Sequence, residues 1–212
     1  MSIEVQVLAL GVAYTNCYII GDTESKQAIV IDPVDKAQLI YQTAVQAGWT
    51  IKLILATHGH FDHVLASKEL KRLTDAPFCI NERELPLLEN IPEQGVRYIG
   101  TRFPEPAKPD RFLTDEPEII EVGAIKLETI FTPGHTPGHI SFYFREFDLL
   151  FSGDVLFDGT IGRTDLPESD RDTLIKSIFE KLFPLGDDVR VLAGHGRETT
   201  LGIERETNIF LR

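Results

Sequence analysis

The run His58-Gly59-His60-Phe61-Asp62-His63 sets three imidazoles and a carboxylate within six residues of a 212-residue chain that has only six histidines. The other three stand in two places, His135 and His139 in "TPGHTPGH" and His195 in "LAGHG". Each group follows an apolar, strand-like run and abuts glycine: "LILATHGH", "LETIFTPGHTPGH" and "VRVLAGHG". A fourth run of the same kind, "DLLFSGDVLF", delivers Asp154 instead. Loops at strand ends are where a rigid sheet presents side chains for chemistry. Imidazole nitrogen and carboxylate oxygen are the mixed donors that zinc, iron and manganese accept. Three protein ligands and an open position suffice for one catalytic metal, and the set here is large enough for two that share a carboxylate. A metal-free proton relay and histidines placed only for packing are the competing readings. Neither needs every histidine to stand at a strand–glycine junction. No G-x-S-x-G elbow, Walker loop or G-x-G-x-x-G after a strand offers another chemistry, and Ser152 of "FSGD" reads as a structural hydroxyl.

The elements that must carry these loops are legible from periodicity. Residues 3–9 alternate as a strand, and "NCYIIGD" and "QAIVIDP" read as two more with a polar turn between them. "KAQLIYQTAVQAGW" has Leu39, Ile40, Ala44, Val45 and Ala47 at helical spacing, with Gly48 as its stop. "KLILATH" is a short buried strand, "DHVLASKELKRLTDAP" a helix, "PFCINE" a strand and "ERELPLLENI" a short helix. Residues 92–118 hold five prolines and little periodicity, which predicts a long loop. Further strands follow in "EIIEVGAIKLETIFTPGH", "HISFYFREFDLLFSGD" and "DVRVLAGH". "RDTLIKSIFEKLF" is a helix with Leu174, Ile178, Leu182 and Phe183 on one face. Strands and helices in both halves fit two sheets flanked by helices better than one doubly wound parallel sheet.

Composition narrows the function classes. With 42% hydrophobic and 25% charged residues the chain is of ordinary globular make-up. No window approaches about 18 uninterrupted apolar residues, so no transmembrane span is expected, and the N-terminus lacks the basic region of a secretory signal. Cys17 and Cys79 form no CxxC motif and no disulfide framework, which predicts a reduced, cytoplasmic setting and buried thiols. A net charge of −12 repels phosphate backbones and anionic membrane surfaces. Nucleic acid and membrane are therefore not expected as partners.

"THGHFDH" is the H-x-H-x-D-H signature of the metallo-β-lactamase superfamily, and "TPGHTPGH", "FSGDVLF" and "AGHG" resemble its later ligand motifs in order. Within that superfamily the chain resembles the glyoxalase II-like (hydroxyacylglutathione hydrolase-like) proteins, and "IGRTDLP" and "ETTLGIERETNIFL" resemble their short, single-domain branch. The resemblance implies an α/β (α+β) fold, the αβ/βα sandwich of two mixed sheets flanked by helices, over residues 1–212 as one domain. It implies His58, His60 and His135 on one metal, Asp62, His63 and His195 on a second, and Asp154 bridging both. His139 is left for a supporting role beside the ligands. Two divalent ions are implied, zinc foremost, with iron or manganese as alternatives. The implied reaction is hydrolysis of a small-molecule thioester or ester by a metal-bridging hydroxide, with Asp62 orienting it.

Departures from the family pattern bear on substrate. Seventeen residues follow His195, too few for the C-terminal helical domain by which full-length glyoxalase II enzymes hold glutathione. Arg97, Arg102, Lys108 and Arg111 in the proline-rich stretch read as solvated charges before they read as substrate contacts. Arg163 and Asp165 of "GRTD" read as a pair that fixes their loop before Arg163 reads as a residue facing substrate. Ala193 stands where relatives often have Pro. The alternative activity is that of a persulfide dioxygenase with a single non-haem iron on His58, His135 and Asp154. A non-catalytic metal-binding module is disfavoured because the ligand set is complete.

Overall fold

In the computed structural model, which describes residues 3–212, the alternating N-terminal run becomes β1 (Ile3–Leu10). It pairs antiparallel with β2 (Thr15–Asp22), and β2 pairs antiparallel with β3 (Gln27–Ile31). From β3 the chain makes parallel connections, each long enough to hold helix, as parallel strands require. α1 (Ala37–Gln46) leads to β4 (Thr50–Leu55), and α2 (Phe61–Val64) and α3 (Ser67–Thr74) lead to β5 (Phe78–Asn81). α4 (Leu85–Glu89) and α5 (Ile91–Ile99) lead to β6 (Arg111–Leu113). The result is a mixed sheet in the order β1-β2-β3-β4-β5-β6. Ile40 and Ala44 of α1 and Leu70 of α3 bury their apolar stripe with Ile19, Val30 and Ile54 of the sheet. Every residue of β2 is buried, including the polar Thr15, Asn16 and Asp22.

A second mixed sheet holds β7 (Ile119–Val122), β8 (Ile125–Phe131), β9 (Ile140–Phe144) and β10 (Leu149–Gly153). After a small hairpin of β11 (Leu156–Phe157) and β12 (Thr160–Ile161) and helix α6 (Arg171–Ser177) come β13 (Arg190–Ala193), β14 (Thr199–Thr200) and α7 (Leu201–Thr207). The order is β14-β13-β10-β9-β8-β7, with β10 parallel to β13 and antiparallel to β9. The side chain of Asp170 caps α6 by accepting from Thr173 N at 2.7 Å. Leu174, Ile178, Leu182 and Phe183, the face expected from spacing, join Tyr143, Leu150 and Val191 in one buried cluster. Two mixed sheets flanked by helices are thus the architecture that both halves of the sequence implied. By contact density the chain divides into two compact units, residues up to 113 with 121–125, and residues 114–120 with 126–212.

The expected loop over 92–118 needs correction, because α5 occupies its start and β6 lies near its end. Pro92 sits in the first turn of α5, where its missing N–H leaves no bond unmade, and Gly100 ends the helix at φ 72°. Proline count alone therefore misreads a helix start as a break. Arg102 of this stretch is ion-paired with Glu93.

Cys17 and Cys79 lie buried in β2 and β5. Burial above all, with the Asp32 charge adding, holds the Cys17 thiol well above its ordinary range, and burial pushes Cys79 up to about 11. Both are poor nucleophiles for that reason. Among the described residues no helix is long and apolar enough to cross a membrane.

Gly21 of β2 lies against the buried indole of Trp49, where an added Cβ would come within 2.2 Å of the ring. Gly21→Ala is expected to lower stability by about 1–3 kcal/mol. The measurement is the urea midpoint, which falls while the slope of the transition stays constant.

Candidate metal centre

In the first unit β4 ends at Leu55, and the chain turns through Thr57 to present His58, His60, Asp62 and His63 at the start of α2. His58 and His63 are fully buried, and His60 is nearly so. The loop closes tightly because Gly59 has no side chain: a Cβ there would meet Leu87 and Glu84 at 3.0–3.2 Å. Its N–H donates to Glu84 Oε2 at 2.7 Å, and Glu84 is itself fully buried. Glu84 thus pins the turn that separates the first two imidazoles.

Hydrogen bonds fix which ring nitrogen of His58 and His63 carries the proton. Asp32, at the end of β3, accepts from Thr57 N at 2.7 Å and from Thr57 Oγ1 at 2.9 Å, and lies 2.9 Å from His63 Nδ1. A carboxylate only accepts, so the His63 proton sits on Nδ1 and Nε2 carries a lone pair. Because the Thr57 hydroxyl gives its proton to Asp32, it accepts from His58 Nδ1 at 3.0 Å, and His58 Nε2 likewise carries a lone pair. That nitrogen faces His60 Nδ1 at 3.0 Å, and the rings of His58 and His63 lie 4.1 Å apart. Asp62 Oδ2 accepts from the Thr15 hydroxyl at 2.9 Å and lies 3.7 Å from His63 Nε2.

The second unit makes its own cluster from three strand ends. β8 runs to Phe131 and delivers His135, β10 ends at Gly153 beside Asp154, and β13 ends at Ala193 beside His195. One oxygen of Asp154, Oδ2, lies 3.6 Å from His135 Nε2 and 3.4 Å from His195 Nε2. The main-chain carbonyl of Arg163 lies 3.0 Å from His135 Nδ1 and can only accept, which leaves Nε2 with its lone pair. Gly162 permits this approach, since a Cβ there would fall 2.0 Å from the Asp154 carbonyl oxygen. The Arg163 side chain makes a two-pronged pair with Asp165 at 2.8 and 2.9 Å and holds that carboxyl below its ordinary range.

His139 is placed differently. Its Nε2 accepts from the backbone N–H of Asp154 at 3.1 Å, and its Nδ1 lies 3.0 Å from Thr132 Oγ1, which in turn meets Ser141 Oγ at 2.9 Å. Both of its nitrogens are engaged by protein, so it braces the Asp154 backbone.

The donor set suits metal. Two ligands on a tetrahedral ion with bonds of about 2.0–2.1 Å stand about 3.3 Å apart. The separations within each unit, 3.0 and 3.7 Å in the first and 3.6 and 3.4 Å in the second, bracket that figure. The Nε2 lone pairs of His58, His63 and His135 are among these donors and are the atoms an ion would meet. Asp32, Thr57, Glu84, Thr15 and Thr132 carry no signal in their local sequence, apart from an acid at the end of the buried run "QAIVID".

The family model for the metallo-beta-lactamase superfamily matches residues 10–195, and the chain belongs to that superfamily. It is 41% identical over 208 residues to hydroxyacylglutathione hydrolase GloC of Haemophilus influenzae, covering 98% of this chain and 97% of that protein. Among solved structures it is similar to the B3 metallo-beta-lactamase BLEG-1, with 36% identity, TM-score 0.91 and coverage of 98% and 99%. It is also similar to TTHA1623 in a di-iron-bound form, with 36% identity, TM-score 0.86 and coverage of 97% and 100%. A further likeness is to ETHE1 of Myxococcus xanthus, with 26% identity, TM-score 0.77 and coverage of 97% and 83%. Membership and donor clusters together define the chain, at the broad level, as a metallo-hydrolase suited to divalent metal ions.

Asp32 orients two candidate ligands through one carboxylate, His63 directly and His58 through the Thr57 hydroxyl. Asp32→Ala is expected to weaken metal affinity about 10–100-fold, measured by competition against a chromophoric chelator.

Proposed function

We propose that the chain is a binuclear, metal-dependent thioester hydrolase of the hydroxyacylglutathione type. On this reading residues 1–212 act as one catalytic domain, with His58, His60 and His135 on one ion and Asp62, His63 and His195 on the other. Asp154 is shared between them, and zinc is the first choice of metal. The observation that carries the reading is the position of Asp154 Oδ2, at 3.6 and 3.4 Å from two imidazole nitrogens assigned to different ions. Its support from relatives is the full-length likeness to the hydroxyacylglutathione hydrolase of Haemophilus influenzae.

Bound divalent ions would lower the pKa of water enough for a nucleophile to exist near neutral pH, and would polarise the substrate carbonyl. The chain's own groups then position the reactants. The Thr15 hydroxyl fixes Asp62 Oδ2, so that the carboxylate stands beside His63 and orients the attacking water. Nδ1 protons on His58, His63 and His135 are held by Thr57, Asp32 and the Arg163 carbonyl, so these rings cannot turn their Nε2 away. A covalent acyl-enzyme is disfavoured. Both thiols are buried with raised pKa, and Ser152 gives its proton to the Leu156 carbonyl at 2.9 Å. The substrate is a small thioester; a net charge of −12 argues against nucleic acid. Two buried, unlinked cysteines fit a reducing cytoplasm.

The likeness to ETHE1 favours a second reading, a persulfide dioxygenase with one iron on His58, His135 and Asp154. That reading leaves Asp62, His63 and His195 without a role, although Thr15 and Asp32 hold two of them in place. The deciding experiment pairs metal analysis with anaerobic release of thiol from S-D-lactoylglutathione. Two metals per chain and oxygen-independent release are expected. One iron per chain with oxygen uptake on glutathione persulfide overturns the hydrolase, and turnover of nitrocefin alone would make the enzyme a β-lactamase.

Two variants test the assignment. Asp154→Ala is expected to lose bound metal and more than about 100-fold in activity, because a first ligand matters at least as much as its supports. Retention of both ions would refute the shared position. Asp62→Ala is expected to lower kcat about 100-fold with little change in KM, the signature of an interaction made in the transition state.

A further inference from the structure

A cavity of about 480 Å3 opens in the second unit directly beside Asp154 and His195. The β11–β12 hairpin supplies its apolar wall through Phe157 and Ile161, and Phe157 leans toward the His195 ring with centroids 6.0 Å apart. The volume is of the size that holds a small organic molecule. Two arginines line this cavity, Arg163 and Arg197, the latter two residues beyond His195, alongside Asp154 and Asp158, in a chain of net charge −12.

Arg197 Nε is held by Asp158 Oδ2, a second residue of the lining, and the guanidinium is largely exposed. Gly196, at φ 76°, precedes Arg197, and both line the cavity. A guanidinium has five donors in a planar fork, and one carboxylate engages only an edge of it. The other edge is what a second carboxylate would need for a charge-assisted bond. Asp158 therefore orients the fork without using it up.

We propose that Arg197 is a specificity-determining residue that binds a carboxylate of the substrate, so that the enzyme prefers thioesters bearing an anionic group over neutral thioesters with the same acyl group. The inference rests on the hydrolase reading above. Arg163, tied to Asp165, brings a second guanidinium to the same cavity. A neutral substrate would gain nothing from either arginine. An anionic one gains both orientation and local attraction against the surrounding acidity.

The test compares kcat/KM for S-D-lactoylglutathione with that for S-D-lactoyl-N-acetylcysteamine, which carries no carboxylate. Wild type is expected to prefer the first, and Arg197→Glu to reduce the ratio of the two about tenfold or more through KM. Arg197→Lys is expected to restore part of the ratio, and Asp158→Asn, which frees the fork, to lower KM for the glutathione thioester. Calorimetric titration with S-methylglutathione gives a readout independent of turnover, and Arg197→Glu is expected to weaken that binding by a similar factor. If wild type cleaves both thioesters and the ratio and the titration do not move in any of the variants, the carboxylate role is overturned and the hydrolase reading stands. If wild type cleaves neither, both fall together.

Discussion

The Asp32 carboxylate is the constraint on which the first ligand cluster depends. It is buried at the end of β3, and its backbone stands at φ 54°, a conformation that non-glycine residues adopt at some strain. Burying an ionised carboxylate is unfavourable unless its lone pairs are met. Here the Thr57 amide, the Thr57 hydroxyl and His63 meet them within 3 Å. The same bonds that stabilise the buried charge choose the tautomers of His58 and His63. Folding stability and metal-binding geometry are in this way one set of interactions, because the acceptor that satisfies the core also aims the rings.

The second unit solves the same problem with neutral groups. A main-chain carbonyl holds the proton of His135, and His139 holds the backbone of Asp154. A neutral imidazole serves here because the atom to be steadied is a backbone N–H, which needs an acceptor and no charge. The chain of Thr132 and Ser141 hydroxyls then fixes His139 in turn. Glycines at 59 and 162 let backbone and carboxylate approach where any side chain would collide. Gly59, between the first two histidines, thus answers a steric demand.

Charge is distributed to match this arrangement. The chain as a whole is strongly acidic, yet the wall next to Asp154 and His195 carries Arg163 and Arg197, each steadied by an aspartate. The wall thus presents guanidinium groups held in place by carboxylates, beside Asp154 and Asp158.

The type and spacing of side chains determined a good deal by themselves. Buried strands announce themselves by apolar runs, and imidazoles at strand–glycine junctions announce metal chemistry, because few other arrangements tolerate so many donors together. Periodicity likewise gave the buried face of α6 and its continuation, from Leu174 to Phe183. It failed for α5, where five prolines over 92–118 looked like loop although Pro92 in a first helical turn breaks nothing. Only the tertiary structure decided which groups support the ligands. Asp32 lies 31 positions from His63, Glu84 lies 25 from Gly59, and Thr15 lies 47 from Asp62. A carboxylate or hydroxyl in isolation has no preferred partner, and its role is set by which donors the fold brings within 3 Å. The candidate ligands could be named from sequence because residue type marks a donor; their supports could not, because position alone gives them a role.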